Sequence, residues 1–331
     1  MTNHTDHLKA AAEVALRTND GASWFVGYDV LLVTLNESTQ RLTQGAFQLL
    51  EKSLDLAQRE GRALVLNHEG SDFSAGEDWP LLYGLSREGR FGDLEQYLEQ
   101  CYQLLENIRS SEVPFVLCAE GRCLGMASRF LHLADSSVLG ARFTIGFEGL
   151  AFGLPPLMGS LVDLSLYAEG QKGSELRKAT LTNFEKLLFA KLFSDKSELQ
   201  ASSHFSGGQK RIAIVSDAEE RKSLAIQEAQ WLAHSKEKKS KPQDQIWLGG
   251  LKGWSSLAHQ ISLWEALGQL DECRRDLALG MAHVVSGCGV NAEGFVPRPL
   301  LLEAEKALFL KQIQKGDVLE RLGQALGAQP S

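Results

Sequence analysis

The chain has 331 residues, of which 44% are hydrophobic and 23% are charged, a balance typical of soluble globular proteins. Its 34 basic and 42 acidic residues give a net charge of −8, which argues against nucleic acid as the main partner. The five cysteines form no C-x-x-C pair, so we expect no zinc or other metal site. The sequence shows no secretory signal and no apolar run of about 18 residues, and we therefore expect a cytoplasmic protein without a membrane span.

The first 140 residues alternate between strand and helix patterns. The segment "SWFVGYDVLLVTLN" (23–36) predicts two short strands around a tight turn, and apolar residues at helical spacing predict a helix that ends near Gly61. Continuous apolar runs at 62–67 and 114–119 predict buried strands, with a long helix between them. Strands that are apolar throughout are usually covered on both faces, which predicts a layered α/β fold.

The second half of the chain is mainly helical in pattern. The segment 159–234 carries helical signals, including apolar residues spaced on one face. The run "KEKKSK" at 236–241, followed by Pro242, predicts a solvated basic linker over 236–243. Residues 244–331 return to helical patterns, interrupted by Gly, Asn and Pro at 286–299. We therefore predict a core over 1–235, a linker over 236–243 and a helical region over 244–331.

Two strand-to-helix junctions share small residues and a following helix start, a combination that suits the binding of a negatively charged group. "FSAGED" (73–78) follows the strand at 62–67, and "GRCLGMA" (121–127) follows the strand at 114–119. Small residues let a backbone approach a ligand closely, and free N–H groups at a helix start favour negative charge. Two such amides that converge on one point would form an oxyanion hole for a carbonyl that becomes an enolate. On composition alone, both segments are equally well explained as compact turns.

The order of these pieces resembles the crotonase (enoyl-CoA hydratase/isomerase) superfamily. The resemblance runs from about residue 23 to 160 and depends on "ALVLNHEGSDFSAGED", "PFVLCAEGRCLGMASRFLHLAD" and "RFTIGFEGLAFGLPPLMGS". It implies a fold of repeated ββα units followed by a helical C-terminal region. It also implies oxyanion-hole amides at Glu77 and Met126. Ala75, Gly76, Gly125, His132 and Pro155 would then line the substrate, an acyl-CoA thioester that brings its own coenzyme A, so that no further cofactor is expected.

The acids depart from the family pattern. Hydratases of this superfamily carry one glutamate three residues past the second amide, where this chain has Arg129, and a second glutamate that matches Glu148, seven residues before Pro155. Arginine cannot act as a general base, because its pKa stays above about 12. Arg129 would instead bind a substrate carboxylate, stabilise the enolate, pair with Glu148, neutralise an inactive site or point to solvent. His132 follows three residues later and would face the same cavity, or be structural. Glu77 replaces a neutral residue beside the hole, and Asp78 is a candidate helix cap.

These residues predict an acyl-CoA enzyme that works through an enolate, with Glu148 as its single acid/base and Arg129 as a further catalytic residue. A single carboxylate favours double-bond isomerisation over hydration, which is easiest with two acids. Three alternatives stay open: a hydratase that uses another acid such as Glu77, a decarboxylase that recognises a substrate carboxylate, and a catalytically silent CoA-binding or complex-forming subunit.

The resemblance also carries expectations about partners. Crotonase folds usually assemble as trimers or dimers of trimers, so a homotrimer or hexamer is expected. The segments "LDECRRDLALGMAHVVSG" and "LLLEAEKALFL" look like the end of hydratase domains that are fused to 3-hydroxyacyl-CoA dehydrogenases. A separate dehydrogenase of that type is therefore a possible partner.

Overall fold

The computed structural model describes residues 13–36, 41–166, 171–189, 211–235 and 244–327. The predicted linker at 236–243 lies outside these residues. Within them, no helix is both long and apolar enough to cross a membrane.

Seven strands form the main sheet in the order β1-β2-β3-β4-β5-β7-β9. Antiparallel pairing joins β1 to β2 and β2 to β3, and all later pairs are parallel. A second sheet pairs β6 with β8 in parallel, and a third pairs β10 with β11 antiparallel. The strands are β1 Glu13–Arg17, β2 Gly21–Val26, β3 Val30–Leu35, β4 Ala63–His68, β5 Phe115–Ala119, β6 Arg122–Leu124, β7 Ser136–Leu139, β8 Thr144–Gly146, β9 Arg211–Ile214, β10 Gln245–Leu248 and β11 Gly294–Pro297.

Helices cover the sheet and build most of the second half of the described chain. They are α1 Gln44–Glu60, α2 Trp79–Arg87, α3 Phe91–Ser110, α4 Ser128–Leu133, α5 Gly149–Phe152, α6 Ser160–Leu166, α7 Gly173–Leu188, α8 Ala218–His234, α9 Gly250–Ala266, α10 Glu272–Val285, α11 Arg298–Ile313 and α12 Gly316–Ala325, with a 3₁₀ turn at Gly125–Ala127.

The main sheet is covered on both faces, as the apolar strands predict. Alternate residues of a strand point to opposite faces. Leu31 of β3 packs in the cluster that holds the α1 and α3 side chains, whereas its neighbour Leu32 packs in the cluster that holds Ala225 and Ala229 of α8. The sheet is therefore the middle layer of an α/β/α arrangement, and the prediction of a layered α/β fold is confirmed.

Helix α1 illustrates how the sequence sets an element. Its N-cap Thr43 accepts a hydrogen bond from the N–H of Ala46, and Gly61 ends the helix in the left-handed region with φ of 64°. The residues that the sequence placed on its apolar face, including Leu50 and Leu54, are buried.

The C-terminal helices pack onto the chain's own core. Phe309 and Val318 belong to the same hydrophobic cluster as Trp79 of α2 and Leu31 of β3. The region that starts at residue 244 therefore shares its packing with the predicted core. Besides its helices, the region from residue 244 contains the antiparallel pair β10–β11, and β11 lies within the predicted interruption at 286–299.

Candidate active site

Backbone hydrogen bonds bring the two predicted junctions together. The N–H of Ser74 donates to the carbonyl of Arg122 at 2.8 Å, and the N–H of Leu124 donates to the carbonyl of Ser74 at 3.0 Å. The loop after β4 thus runs alongside β6, which leads into the 3₁₀ turn and α4. Helix α4 therefore begins only after this short strand and the 3₁₀ turn.

Two glycines let the junctions touch. Gly76 has φ of 92°, and a Cβ there would lie 2.9 Å from the carbonyl oxygen of Leu124. Gly125 has φ of 52°, and a Cβ there would lie 1.9 Å from Oε2 of Glu77. Side chains at these positions would be strained by the backbone and blocked by their neighbours. Both positions therefore require glycine for conformation and for close approach.

The amides of Glu77 and Met126 converge on one carboxylate, which belongs to Glu77 itself. Only 3% of Glu77 is exposed. Its Oε1 accepts a hydrogen bond from the N–H of Met126 at 3.1 Å, and its own backbone N–H lies close enough to lower the pKa of the carboxyl. Oε2 is buried and has no hydrogen-bond partner among the described residues. The group that lies at the predicted oxyanion hole is thus the carboxyl of Glu77, a side chain of this chain itself.

The environment of Glu77 favours its protonated form. Burial raises the pKa of Glu77 from 4.5 to about 7, and the nearby charge of Glu148 adds to the rise. The two backbone N–H groups and the charge of Arg41 act in the opposite direction but do not cancel it. With a pKa of about 7, this carboxyl is close to half protonated at neutral pH.

Glu148 lies at the start of α5, next to this carboxyl. It is 31% exposed, and its Oε2 is 3.9 Å from Nη1 of Arg41. The same Nη1 donates to the carbonyls of Ala75, at 3.3 Å, and Glu77, at 2.9 Å. Arg41 therefore holds the loop that carries the first amide and faces the candidate acid/base. Sequence reasoning missed Arg41, because it lies in a polar segment without periodicity.

Arg129 has a partner that the sequence did not suggest. Only 2% of Arg129 is exposed. Its Nη2 donates to Oδ2 of Asp163, and its Nε donates to the carbonyl of Met158 at 3.0 Å. Asp163 also accepts from Nη1 of Arg298 at 2.7 Å, and Arg298 pairs with Glu106 at 3.0 Å.

This buried network joins α4, α6, α11 and α3. Burial alone would raise the pKa of Asp163, but the charges of Arg129 and Arg298 outweigh it and hold that pKa well below its ordinary value. The suggested ion pair between Arg129 and Glu148 is therefore wrong, because Glu148 faces Arg41. An Arg129 that points to solvent is also excluded by its burial.

The remaining predicted residues lie around this framework. Ala75 and Pro155 are buried. His132 is half-buried, and its charge contributes to the low pKa of Asp163, which places it on the side of Arg129. Asp78 caps α2, since its side chain accepts from the N–H of Leu81 at 3.2 Å.

The loop before α6 is held from the C-terminal region. Glu305 of α11 is fully buried, and its carboxylate accepts hydrogen bonds from the N–H groups of Gly159, at 2.6 Å, and Leu161, at 2.8 Å. The hydroxyl of Tyr102 donates to the same carboxylate at 2.6 Å. The carbonyl of Met158 that holds Arg129 is therefore itself fixed in place. Within the described ranges, no group of three or more His, Cys, Asp or Glu side chains is placed to hold a metal ion.

Solved structures show which fold this is. An enoyl-CoA hydratase from Bacillus halodurans superposes with a TM-score of 0.60 at 14% identity, over 92% of this chain and 99% of that one. An Acinetobacter baumannii protein described as a "putative enoyl-CoA hydratase/isomerase" gives a TM-score of 0.55 at 19% identity, over 94% of this chain and 100% of that one. The chain therefore has the crotonase fold, and the resemblance stated from the sequence is confirmed at the level of the fold.

Curated relatives share part of the sequence. A Rickettsia felis protein described as "Putative fatty acid oxidation complex trifunctional enzyme" is 27% identical over 177 residues, 54% of this chain and 24% of that protein. A Bacillus subtilis "Probable 3-hydroxyacyl-CoA dehydrogenase" is 22% identical over 313 residues, 92% of this chain and 38% of that protein. The chain thus spans well under half the length of these relatives. No protein-family profile matches it.

Proposed function

We propose that this chain binds an acyl-CoA thioester and forms its enolate between the amides of Glu77 and Met126. The observation that carries the proposal is that a carboxyl group already lies at these amides, where its Oε1 accepts from the N–H of Met126 as an enolate oxygen would. Donors aimed at a developing oxyanion in a buried site supply much of the rate enhancement in such reactions. The names of the similar proteins, which refer to enoyl-CoA hydratases and fatty acid oxidation, support this substrate class.

Glu148 is the proposed acid/base. Its carboxylate lies 3.9 Å from Arg41, which holds the loop of the first amide, and is partly open to solvent. We propose that it takes a proton from the carbon next to the thioester carbonyl and delivers a proton to another carbon. In the isomerisation of a 3-enoyl thioester, the C–H bond at Cα breaks and the electrons delocalise into a dienolate. Glu148 then delivers a proton, which exchanges with solvent, to Cγ, and the double bond moves to the position between Cα and Cβ. One carboxylate is sufficient for this transfer.

A hydratase that uses Glu77 as its second acid is the second candidate. The side chains of Glu77 and Glu148 are close enough for the charge of one to raise the pKa of the other. Hydration requires one group to orient water and another to deliver a proton. This candidate needs Glu77 to leave the amides before it can reach substrate.

A silent CoA-binding subunit is the third candidate. It is favoured because the Glu77 carboxyl already occupies the amides. It is also favoured because Arg129 lies where hydratases carry a glutamate, and its donors bind Asp163 and the carbonyl of Met158. Those contacts give no support to a decarboxylase that would use Arg129 to bind a substrate carboxylate. We therefore treat Arg129 as a positioning residue for α4 rather than a catalytic residue.

Proton exchange at the substrate tests the proposal. In D₂O, 3-enoyl-CoA should convert to 2-enoyl-CoA that carries deuterium at Cγ, as followed by NMR and ultraviolet absorption. Glu148→Gln should lower this rate by about 100-fold or more. The matched control is Glu112→Gln, an exposed glutamate that lies between α3 and β5 and outside both junctions, which should leave the rate unchanged. Addition of water to 2-enoyl-CoA would favour the hydratase, and absence of exchange with binding intact would favour the silent subunit.

The associated expectations are also proposals. The proposed chemistry uses no resident cofactor, since coenzyme A arrives with the substrate. Assembly as a homotrimer or hexamer, association with a 3-hydroxyacyl-CoA dehydrogenase and a cytoplasmic location stay predictions. Sedimentation equilibrium of the purified protein tests the first of these directly.

A further inference from the structure

We propose that the Glu77 side chain is an internal ligand of the two backbone amides, which an acyl-CoA thioester must displace in order to bind. This inference rests on the proposed function and concerns the regulation of the same site. It assigns to the Glu77 side chain a role distinct from that of its amide.

The geometry allows one occupant at a time. The N–H of Met126 has a single hydrogen, and it points to Oε1 of Glu77 at 3.1 Å. The other carboxylate oxygen lies so close to Gly125 that a Cβ at that position would be 1.9 Å from it. A thioester oxygen that accepted both amide hydrogens would coincide with this carboxyl. Substrate binding at the amides therefore requires the side chain to swing out.

The carboxyl is held incompletely in this position. Oε2 lacks any hydrogen-bond partner among the described residues although it is buried, and a buried acceptor without a donor favours release. A resident group that is only partly satisfied is suited to exchange with a substrate oxygen.

The charged and titratable groups around Glu77 define how this exchange depends on pH. Arg41 approaches from the segment before α1, and Glu148 from the start of α5. Tyr97 and Cys101 of α3 also lie within electrostatic range, but burial raises both of their pKa values above ordinary, so they stay neutral. The neighbouring Asp78 is engaged in capping α2. Glu77 is therefore the group that titrates near neutral pH between these neighbours.

Displacement couples binding to a proton. With the carboxyl on the amides, the pKa of Glu77 is about 7, and in water it returns to its ordinary 4.5. When the thioester is bound, the displaced Glu77 side chain thus holds its proton more weakly. Thioester binding therefore releases a proton, and its affinity increases as pH rises. For these two values the affinity at pH 8 should exceed that at pH 5.5 by about 25-fold, and about 0.7 proton should be released at pH 6.5.

Calorimetric titration with butyryl-CoA tests the inference. The heat of binding is measured at pH 5.5, 6.5 and 8 in buffers of different ionisation enthalpy, which yields both affinity and proton release. Glu77→Gln keeps the shape but cannot ionise, so it should bind with no contribution from this proton. Glu77→Ala removes the internal ligand and should bind at least about 10-fold tighter than wild type at pH 5.5. The matched control, Asp78→Asn, removes the adjacent charge but keeps a capping side chain, and should behave as wild type.

The outcomes separate the inference from the function on which it rests. The phosphates of coenzyme A titrate in the same range, so the difference between wild type and Glu77→Gln carries the result. Equal proton release in these two proteins, or no gain in affinity for Glu77→Ala, would overturn the internal ligand while leaving acyl-CoA binding intact. Failure of every variant to bind butyryl-CoA at any pH would overturn both. If Glu77→Ala does not fold, Glu77→Gln alone decides the matter through proton release.

Discussion

Replacing Arg129 with methionine tests whether its network stabilises the fold. The change keeps a side chain of similar length but removes the cation from Asp163 and the donor from the carbonyl of Met158. Asp163 keeps Arg298 as a partner, at 2.7 Å. Loss of one partner from a buried ion pair lowers the free energy of unfolding by about 3–5 kcal/mol. Because Arg298 still pairs with Asp163, we expect the lower end of this range, about 3 kcal/mol at pH 7. The assay is urea unfolding of wild type and variant. An equal dependence of the free energy of unfolding on urea concentration in the two proteins shows that both expose the same surface on unfolding.

The control for this experiment is an exposed ion pair. Arg122 and Asp72 pair at 3.1 Å but are 49% and 31% exposed, so Arg122→Met should cost less than about 1 kcal/mol. A double-mutant cycle with Asp163→Asn should give a coupling of about 2 kcal/mol with Arg129→Met. A loss below about 1 kcal/mol for Arg129→Met, or a coupling near zero, would refute a stabilising role for this network.

Three further predictions concern the junctions. Gly125→Ala should lower the free energy of unfolding by about 3 kcal/mol, because its φ is positive and a Cβ would meet Glu77. Gly27→Ala, where φ is also positive but the space is open, should lower it by only about 1 kcal/mol. Equal melting temperatures for the two variants would argue against the close contact at Gly125. Asp78→Ala should lower the free energy of unfolding, measured in urea, by about 1 kcal/mol, since the Asp78 side chain accepts a hydrogen bond from the N–H of Leu81. An unchanged free energy would mean that the cap is dispensable. The contribution of Glu77 to the free energy of unfolding should fall as pH rises from 4.5 to 7, because folding raises the pKa of Glu77. Glu77→Gln should therefore gain up to about 3 kcal/mol over wild type at pH 8 relative to pH 4.5, and parallel pH profiles of the two proteins would contradict this.

The sequence anticipated the framework of the site because periodicity and glycine placement are local signals. The strands β4 and β5 lie within a residue of their predicted bounds, and the two junctions that follow them are adjacent, as parallel strands require. Gly76 and Gly125 occupy positions that need positive φ. These features follow from short stretches of chain, which the sequence displays directly.

Side-chain partners were not predictable in the same way. Arg129 pairs with Asp163, 34 residues later, and the network extends to Arg298. Which anion a buried arginine meets is decided by how helices pack, and no spacing in the sequence encodes it. The carboxylate of Glu77 lies on the amides for a similar reason, since the backbone turn directs it there. The pair β10–β11 was missed because each strand has only four residues and β11 begins in a Gly- and Asn-rich interruption.

The central claim is that the amides of Glu77 and Met126 hold a thioester oxygen while Glu148 moves the proton. A crystal structure with bound butyryl-CoA tests it most directly. The account predicts the thioester oxygen about 3 Å from both amide nitrogens, the Glu77 side chain turned away, and the Glu148 carboxylate facing the carbon next to the carbonyl. A thioester bound elsewhere, with the Glu77 carboxylate still on the amides, would contradict it.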